Sequence, residues 1–93
     1  MTIQSFGCGD TEELYQTGQS KRFGNIASVA LRKLDMINSA VVLADLSSPP
    51  GNRLEPLKGK RVGQHSIRIN DQWRVCFTWS IVGPADVEIC DYH

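Results

Sequence analysis

Cysteine is scarce in this sequence, and its three copies, Cys8, Cys76 and Cys90, do not form a recognisable set. The number is odd and no Cys-x-x-Cys pair occurs, which disfavours both a disulfide framework and a zinc site. We therefore expect Cys76 and Cys90 to serve as small strand residues, with a catalytic thiol as the less favoured alternative. Unpaired cysteines are typical of a reducing environment, so their pattern predicts a cytoplasmic protein.

Long apolar segments are also absent. No run approaches the roughly 18 apolar residues that a membrane helix needs. Residues 1–10 lack the basic start and the apolar centre of a secretory signal. We therefore expect no contact with a membrane. A chain of 93 residues can bury one modest core, so residues 1–93 are predicted to form a single domain.

Neither sign of charge is in excess, because ten Lys and Arg residues balance ten Asp and Glu residues. Affinity for phosphate rises with the number of cations brought to it, so binding of nucleic acid by bulk charge is disfavoured. The basic residues are nevertheless concentrated between residues 51 and 75, which predicts a local basic site. They are Arg53, Lys58, Lys60, Arg61, Arg68 and Arg74.

Residues 57–77 contain two apolar runs of alternating polarity on either side of Asn70-Asp71. Such alternation is typical of strands with one buried face, and the Asn-Asp pair favours a hairpin turn. A loop of two residues would place apolar residues opposite charged ones. A loop of three residues, 70–72, instead pairs Ile67 with Val75. Because a one-residue slip exchanges the two faces, the apolar pattern predicts the three-residue loop.

This register gives the hairpin an apolar face and a polar face. Trp73, opposite Ile69, belongs to the core side together with His65 and Trp79. The polar face consists of Ser66, Arg68, Arg74, Cys76 and Thr78. Two arginines on one side of a sheet form a platform for anions, and an ordinary solvent-exposed face is the alternative interpretation.

Two helical segments precede the hairpin. Asp10 and Glu13 have the spacing of a capping box, with Asp10 as N-cap, which predicts a short helix that ends at Gly18. Asn25 is the next residue suited to an N-cap, and the helix after it covers roughly residues 26–40. The apolar residues at helical spacing are Ile26, Val29, Ala30, Leu34, Ile37 and Val41.

Shorter segments complete the predicted fold. Residues 2–6 and 53–57 have the pattern of short strands, and residues 85–90 form the last strand with Val87 and Ile89 buried. Residues 41–46 either extend the second helix or begin a third, and Ser47 to Asn52 ends any helix. We therefore predict an α+β protein with two or three N-terminal helices packed on a small antiparallel β-sheet.

The residues best suited to chemistry lie in and after the hairpin. Lys58 and Arg74 are fixed cations, and Asp91-Tyr92-His93 closes the sequence. If the last strand ends beside the hairpin, His93 lies near Arg74 and within reach of Lys58. A proton-transfer group beside one or two cations is a minimal, metal-independent site for cleaving RNA, because the cations stabilise the charged phosphorane. A tail histidine without a role is the alternative.

Five motifs follow one another along the chain. They are Pro49-Pro50-Gly51-Asn52-Arg53-Leu54-Glu55, Leu57-Lys58-Gly59, Ser66-Ile67-Arg68-Ile69-Asn70-Asp71-Gln72-Trp73-Arg74, Val87-Glu88-Ile89 and Asp91-Tyr92-His93. In these motifs, their order and the chain length, the sequence resembles the HigB toxins of type II toxin–antitoxin systems. These belong to the wider RelE/ParE superfamily, and the resemblance is strongest to the subgroup called plasmid maintenance killer proteins.

The resemblance implies a RelE-like fold and a ribosome-dependent mRNA endonuclease that inhibits translation and needs no cofactor or metal. The catalytic residues carried over by position are Arg74, His93, Lys58 and Asp91, and the RNA-binding residues are Tyr92, Arg68, Lys60 and Arg61. In this assignment His93 transfers protons and Asp91 orients it or tunes its charge. Arg74 and Lys58 hold the scissile phosphate.

The same resemblance implies specific partners. They are a HigA-type helix-turn-helix antitoxin and the 70S ribosome with its mRNA, and operator DNA would be contacted only through the antitoxin. Two alternatives remain. A related toxin of the ParE type acts by binding DNA gyrase, which the terminal Asp-Tyr-His with an aligned Arg74 disfavours. An inactive partner that only binds the antitoxin and tunes transcription is mildly favoured by the neutral charge.

Overall fold

Two α-helices pack against one four-stranded antiparallel sheet in the computed structural model, which describes residues 1–91. The helices are α1 (Gly9–Thr17) and α2 (Ala27–Ser39), and the strands, in sheet order, are β1 (Glu55–Pro56), β2 (Gln64–Arg68), β3 (Trp73–Ser80) and β4 (Gly83–Asp91). The predicted α+β class is therefore confirmed. Within the described residues the third helix is replaced by short 3₁₀ turns, the longest of which is Leu43–Ser47.

The β2–β3 hairpin has the predicted register. Ile67 is the partner of Val75, and the Ile69 amide donates to the Trp73 carbonyl at 2.9 Å. The loop is stabilised by the Asn70 side chain, whose Oδ1 accepts from the backbone amides of Gln72 and Trp73. This Asx-type turn gives the amide groups of the three-residue loop an acceptor. The loop can therefore keep the register in which the apolar residues of β2 and β3 share one face.

The apolar face of the sheet packs against the helices. The buried apolar residues of the strands include Ile67, Val75, Phe77, Val87 and Ile89, and those outside the strands include Leu14, Phe23, Ile26, Ala30, Leu34, Ile37 and Ile69. Trp73 and Trp79 are only partly buried against this core, and Trp73 meets Phe23 edge-on with 5.5 Å between ring centres. His65 is half-buried and stacks on Phe77, as its predicted place on the apolar side requires.

The first helix begins earlier than its capping pattern predicts. Cys8 is the N-cap residue, and Asp10 lies inside the first turn, where it is exposed and pairs with Arg22 at 3.3 Å. The capping-box prediction is therefore wrong. A tertiary contact fixes the helix start instead, because the buried Thr11 hydroxyl accepts from the Ile89 amide of β4 at 3.0 Å. The end at Gly18 is confirmed, since this residue has φ 77° and donates to the Leu14 carbonyl.

The second helix has the predicted extent but a different start and a shorter apolar face. A 3₁₀ turn, Gly24–Ile26, leads directly into α2, so Asn25 is not its N-cap. Val41 is 66% exposed, which corrects its predicted place in the core. The helix ends at Ser39. The amides of Val41 and Val42 therefore lie outside the helix, and they donate to the Asp45 carboxylate. These bonds lower the pKa of Asp45.

Two predicted strands are reduced to fragments. Residues 2–6 run beside β4 and form only an isolated parallel bridge between Phe6 and Val87. The strand predicted for residues 53–57 shortens to β1, in which Pro56 has no amide to donate to the sheet. The last strand is longer than predicted, and Val87 and Ile89 are buried as expected.

Cys76 and Cys90 form a disulfide, which contradicts their predicted role as separate small residues. The spacing argument failed because the two residues come together through strand pairing. Arg74 is the partner of Cys90, and Cys76 is the partner of Glu88, so the cysteines are diagonal neighbours on the polar face. The inference of a reducing environment loses its basis here, since it assumed that both cysteines were thiols. In residues 1–91, no helix has the length and apolarity needed to cross a membrane.

Candidate functional site

The polar face of the sheet carries two cavities that meet at Arg74. The first, which we call the Arg68 cavity, has a volume of about 510 Å³ and is lined by Arg53, Leu54, Glu55, Arg68, Asn70, Asp71 and Arg74. The second, the Arg61 cavity, has a volume of about 410 Å³ and is lined by Leu57, Arg61, Ser66, Arg74, Cys76, Cys90 and Asp91. Strand alternation places Ser66, Arg74 and Cys90 on the face opposite the core, so the cavities open away from the helices.

Arg74 is the centre of this face, yet it is only 4% exposed. Its Nε donates to the Ser66 hydroxyl at 2.7 Å, and one terminal nitrogen donates to the Arg53 carbonyl at 2.6 Å and to the Ser66 carbonyl at 3.3 Å. The sequence predicted the correct face for Arg74 but not its burial. These contacts hold the guanidinium in one orientation at the boundary between the two cavities.

Glu55 was not among the predicted site residues. Its Oε1 lies 3.7 Å from a terminal nitrogen of Arg74, and its side chain is 39% exposed. The strand pairing explains this position, because β1 places Glu55 opposite Ser66, the residue that also holds Arg74. In the sequence, the only available signal was an acidic residue within an otherwise basic stretch.

Asp91 lies at the end of β4, where the sequence predicted it. It is the partner of Trp73, lines the Arg61 cavity and accepts a hydrogen bond from the Gln72 side chain at 3.2 Å. The structure therefore brings Asp91 and Arg74 to one cavity. Tyr92 and His93, the other two residues of the terminal motif, lie outside the described residues.

The predicted cations are distributed around the cavities. Arg61 bonds to Glu88 at 2.8 Å and to Gln64 at 2.9 Å, and Arg68 pairs with Asp71. Lys58 and Lys60 are exposed, and Lys58 lines a third, neighbouring cavity with Glu55, Pro56 and Leu57. Lys58 is thus close to the Arg74 cavities without lining either of them. A bound anion would have to compete with the carboxylate partners of Arg61 and Arg68.

The loop that borders the Arg68 cavity is fixed to α2. Asn52 is fully buried, and its amide nitrogen donates to the carbonyls of Leu46 and Ser48. Its Oδ1 accepts from Lys33 Nζ at 2.5 Å. Burial lowers the pKa of Lys33, and the nearby charges of Arg32 and Arg68 lower it further. Among residues 1–91, no group of three or more His, Cys, Asp or Glu side chains is placed to hold a metal ion.

Comparison with known proteins identifies the family. Residues 5–93 match the family described as "RelE-like toxin of type II toxin-antitoxin system HigB". The chain is 39% identical to Toxin HigB-1 of Vibrio cholerae serotype O1 over 70 residues. This aligned segment covers 73% of this chain and 74% of the relative. It is 43% identical to an uncharacterized protein of Haemophilus influenzae over 67 residues, and this alignment covers 70% of this chain and 66% of that protein.

Solved structures agree on the fold. The chain is similar to a chain of the YoeB–YefM complex from Staphylococcus aureus, with a TM-score of 0.57 and 18% identity. It is also similar to a YoeB/ParE toxin from Agrobacterium tumefaciens, with a TM-score of 0.52 and 21% identity. Both alignments cover 100% of this chain and 99% of the other. The chain therefore belongs to the HigB family of RelE-like toxins, the toxin components of type II toxin–antitoxin systems.

Proposed function

We propose that this toxin is a ribosome-dependent endoribonuclease that inhibits translation by cleaving mRNA through acid–base chemistry. The observation that carries the proposal is the position of Arg74, a cation held between two open cavities that each have an acidic residue in their lining. Glu55 lines the Arg68 cavity and Asp91 lines the Arg61 cavity. A polynucleotide lying across this face would place a phosphate over the guanidinium.

The reaction assigns a role to each group. Cleavage needs a base to take the 2′-hydroxyl proton, an acid to protonate the leaving 5′-oxygen and a cation for the developing phosphorane charge. Arg74 supplies the cation, with Lys58 at the neighbouring cavity. Glu55 is suited to proton transfer because it adjoins Arg74 and remains partly exposed. His93 is proposed as the second proton-transfer group, with Asp91 orienting it.

The remaining predicted residues contribute to binding. Arg61 and Arg68 border the two cavities, Lys60 extends the basic surface, and Tyr92 stacks on a base. The proposed partners are the ribosome with its mRNA and a HigA-type antitoxin, through which operator DNA is contacted. A YoeB-type relative is known in complex with YefM, so a proteinaceous partner is consistent with the fold.

Cleavage on the ribosome tests the proposal directly. Purified toxin is added to ribosomes programmed with a defined mRNA, and new 5′ ends are mapped. The matched variant is Arg74→Lys, which keeps the positive charge but loses the planar array of donors. Loss of an electrostatic contact in the transition state typically costs about 10²- to 10³-fold in rate. Arg74→Ala is less suitable, because removing a buried side chain also leaves Ser66 and the Arg53 carbonyl without their donor.

The outcomes separate the candidate activities. Wild-type cleavage that Arg74→Lys strongly reduces supports the proposal. Growth inhibition without new mRNA 5′ ends would indicate a target such as gyrase. Absence of both effects would indicate a partner that acts only through the antitoxin.

A further inference from the structure

Three neutral acceptors bind the guanidinium of Arg74. An arginine that binds a phosphate from solvent is usually exposed, whereas this one is 4% exposed and donates to a hydroxyl and two backbone carbonyls. Glu55, at 3.7 Å, is beyond hydrogen-bond distance. The Ser66 and Arg53 acceptors fix the direction of the N–H groups that they bind.

Ser66 provides two of these acceptors. The residue is fully buried in the middle of β2, opposite Cys76 on one side and Glu55 on the other. It lines the Arg61 cavity, and its hydroxyl accepts from Arg74 Nε at 2.7 Å, a contact that restrains rotation of the guanidinium plane. A side chain without an acceptor at this position would leave a buried N–H unsatisfied.

Arg53 provides the third acceptor through its backbone. It has φ 47° and ψ 53°, a left-handed conformation that is uncommon for residues with a side chain. Such a conformation persists where its surroundings hold it. Here the preceding residue, Asn52, is tied to the carbonyls of Leu46 and Ser48 and to Lys33. The loop therefore presents the Arg53 carbonyl to Arg74 at 2.6 Å.

We propose that Ser66 is a positioning residue, which together with the Arg53 carbonyl holds the Arg74 guanidinium in the orientation that mRNA cleavage requires. This inference rests on the function proposed above. A donor array whose orientation is fixed before the substrate binds needs no rearrangement during the reaction, so the loss of Ser66 lowers the rate of the chemical step more than substrate binding.

The test combines Ser66→Ala with Arg74→Lys in a double-mutant cycle of ribosomal mRNA cleavage. Ser66→Ala is expected to lower the maximal rate by about 10- to 100-fold, since small errors of placement cost up to about 10²-fold. The toxin concentration for half-maximal rate should change less than about twofold. In the Arg74→Lys background, where Nε is absent, Ser66→Ala should have little further effect. Equal effects in both backgrounds overturn the proposal.

Two further variants separate positioning from general packing. Ser66→Thr keeps the acceptor oxygen and is expected to restore most of the rate. Ser80→Ala removes another hydroxyl of the same sheet, which donates to the Gly83 carbonyl far from Arg74, and should leave the rate unchanged. A rate loss in Ser80→Ala equal to that in Ser66→Ala would show that any lost hydroxyl weakens the enzyme, and would overturn the positioning role.

Chemical denaturation of the wild type, Ser66→Ala, Arg74→Lys and the double variant tests the contact between Ser66 and Arg74 independently of cleavage. Ser66→Ala should raise the unfolding equilibrium constant about tenfold when Arg74 is present, because a buried donor loses its partner, and clearly less in the Arg74→Lys background. No coupling would refute the contact itself. Coupling in denaturation without any cleavage by the wild-type toxin would instead refute the proposed function and, with it, the positioning role.

Discussion

Glu55 and Arg74 are held beside one another by strand pairing rather than by their own attraction. Glu55 lies opposite Ser66, and Ser66 holds Arg74, so the carboxylate remains 3.7 Å from the guanidinium and partly exposed. A fully formed ion pair would neutralise both groups. The carboxylate therefore remains partly exposed beside the guanidinium, which is the position that the proposed proton transfer needs.

We expect Glu55→Gln to keep the fold and to slow mRNA cleavage by about 10²- to 10⁴-fold, the usual contribution of a proton-transfer group. Gln preserves the shape of the side chain but cannot take a proton. The measurement is the single-turnover rate on programmed ribosomes. Glu13→Gln is the control, since Glu13 is exposed on α1 and lines neither Arg74 cavity. A wild-type rate in Glu55→Gln would remove Glu55 from the mechanism.

The sequence was sufficient to predict the face of each strand residue but not its environment. Alternation put Arg74 on the polar side, because side-chain direction in a strand depends only on position. Its burial depends on the Arg53 carbonyl, which a loop with a left-handed residue delivers from 21 positions away. Glu55 was missed for the same reason, since nothing local indicates that it lies beside Ser66.

At the scale of elements, the β2–β3 hairpin is the part whose structure follows most directly from local sequence. The apolar alternation and the Asn70 turn specify the same register, and both act within a few residues. The start of α1 was mispredicted because a contact between Thr11 and β4, 78 residues apart, replaces the local capping box. Long-range contacts therefore decide the elements whose local signals are weak.

Trp73 tests the hairpin register. We expect Trp73→Ala to destabilise the protein by about 3 kcal/mol, the lower end of the range for losing a large aromatic, because the ring is only partly buried. The ring contacts Phe23 edge-on, so part of the loss comes from that pair. The measurement is the free energy of unfolding in denaturant. An unchanged value would mean that Trp73 lies on the solvent side of the hairpin.

Asp45 gives the turn after α2 a dependence on pH. Its pKa is lowered from 3.8 by hydrogen bonds from the amides of Val41 and Val42. A carboxyl whose pKa is depressed on folding stabilises the folded state above its unfolded pKa, and this contribution is lost as the pH falls through its folded pKa. We expect Asp45→Ala to lower Tm at pH 7.

The difference in Tm between the wild type and Asp45→Ala should shrink as the pH falls below 3.8, the ordinary pKa of this carboxyl. Thermal unfolding of both proteins between pH 7 and pH 2 measures it. Glu13→Ala, which removes an exposed carboxylate of α1, is the control. A difference that stays constant across this range would show that Asp45 acts by packing rather than by its charge.

At the scale of the whole molecule, the polar face of the sheet is both the candidate site and the location of the only disulfide among the described residues. The sequence could not predict this bond, because its signal is the pairing of β3 with β4 rather than a spacing of cysteines. The bond joins the two strands that supply Arg74 and Asp91. Strand pairing also maintains this geometry, so the disulfide adds stability to an arrangement that the sheet already specifies.

Reduction of the Cys76–Cys90 bond should therefore destabilise the protein without changing its fold. A cross-link between residues 14 positions apart removes about 3 kcal/mol of loop entropy from the unfolded chain. For a domain of this size that corresponds to a fall in Tm of about 12 to 24 °C. Thermal unfolding of the oxidised protein, of the reduced protein and of a Cys76→Ser/Cys90→Ser variant measures the effect.

Cys8→Ser is the control, because Cys8 is a free thiol. The reduced protein and the double variant should melt together, well below the oxidised protein and Cys8→Ser. Equal melting of the oxidised and reduced proteins would show that pairing between β3 and β4 supplies the stability by itself.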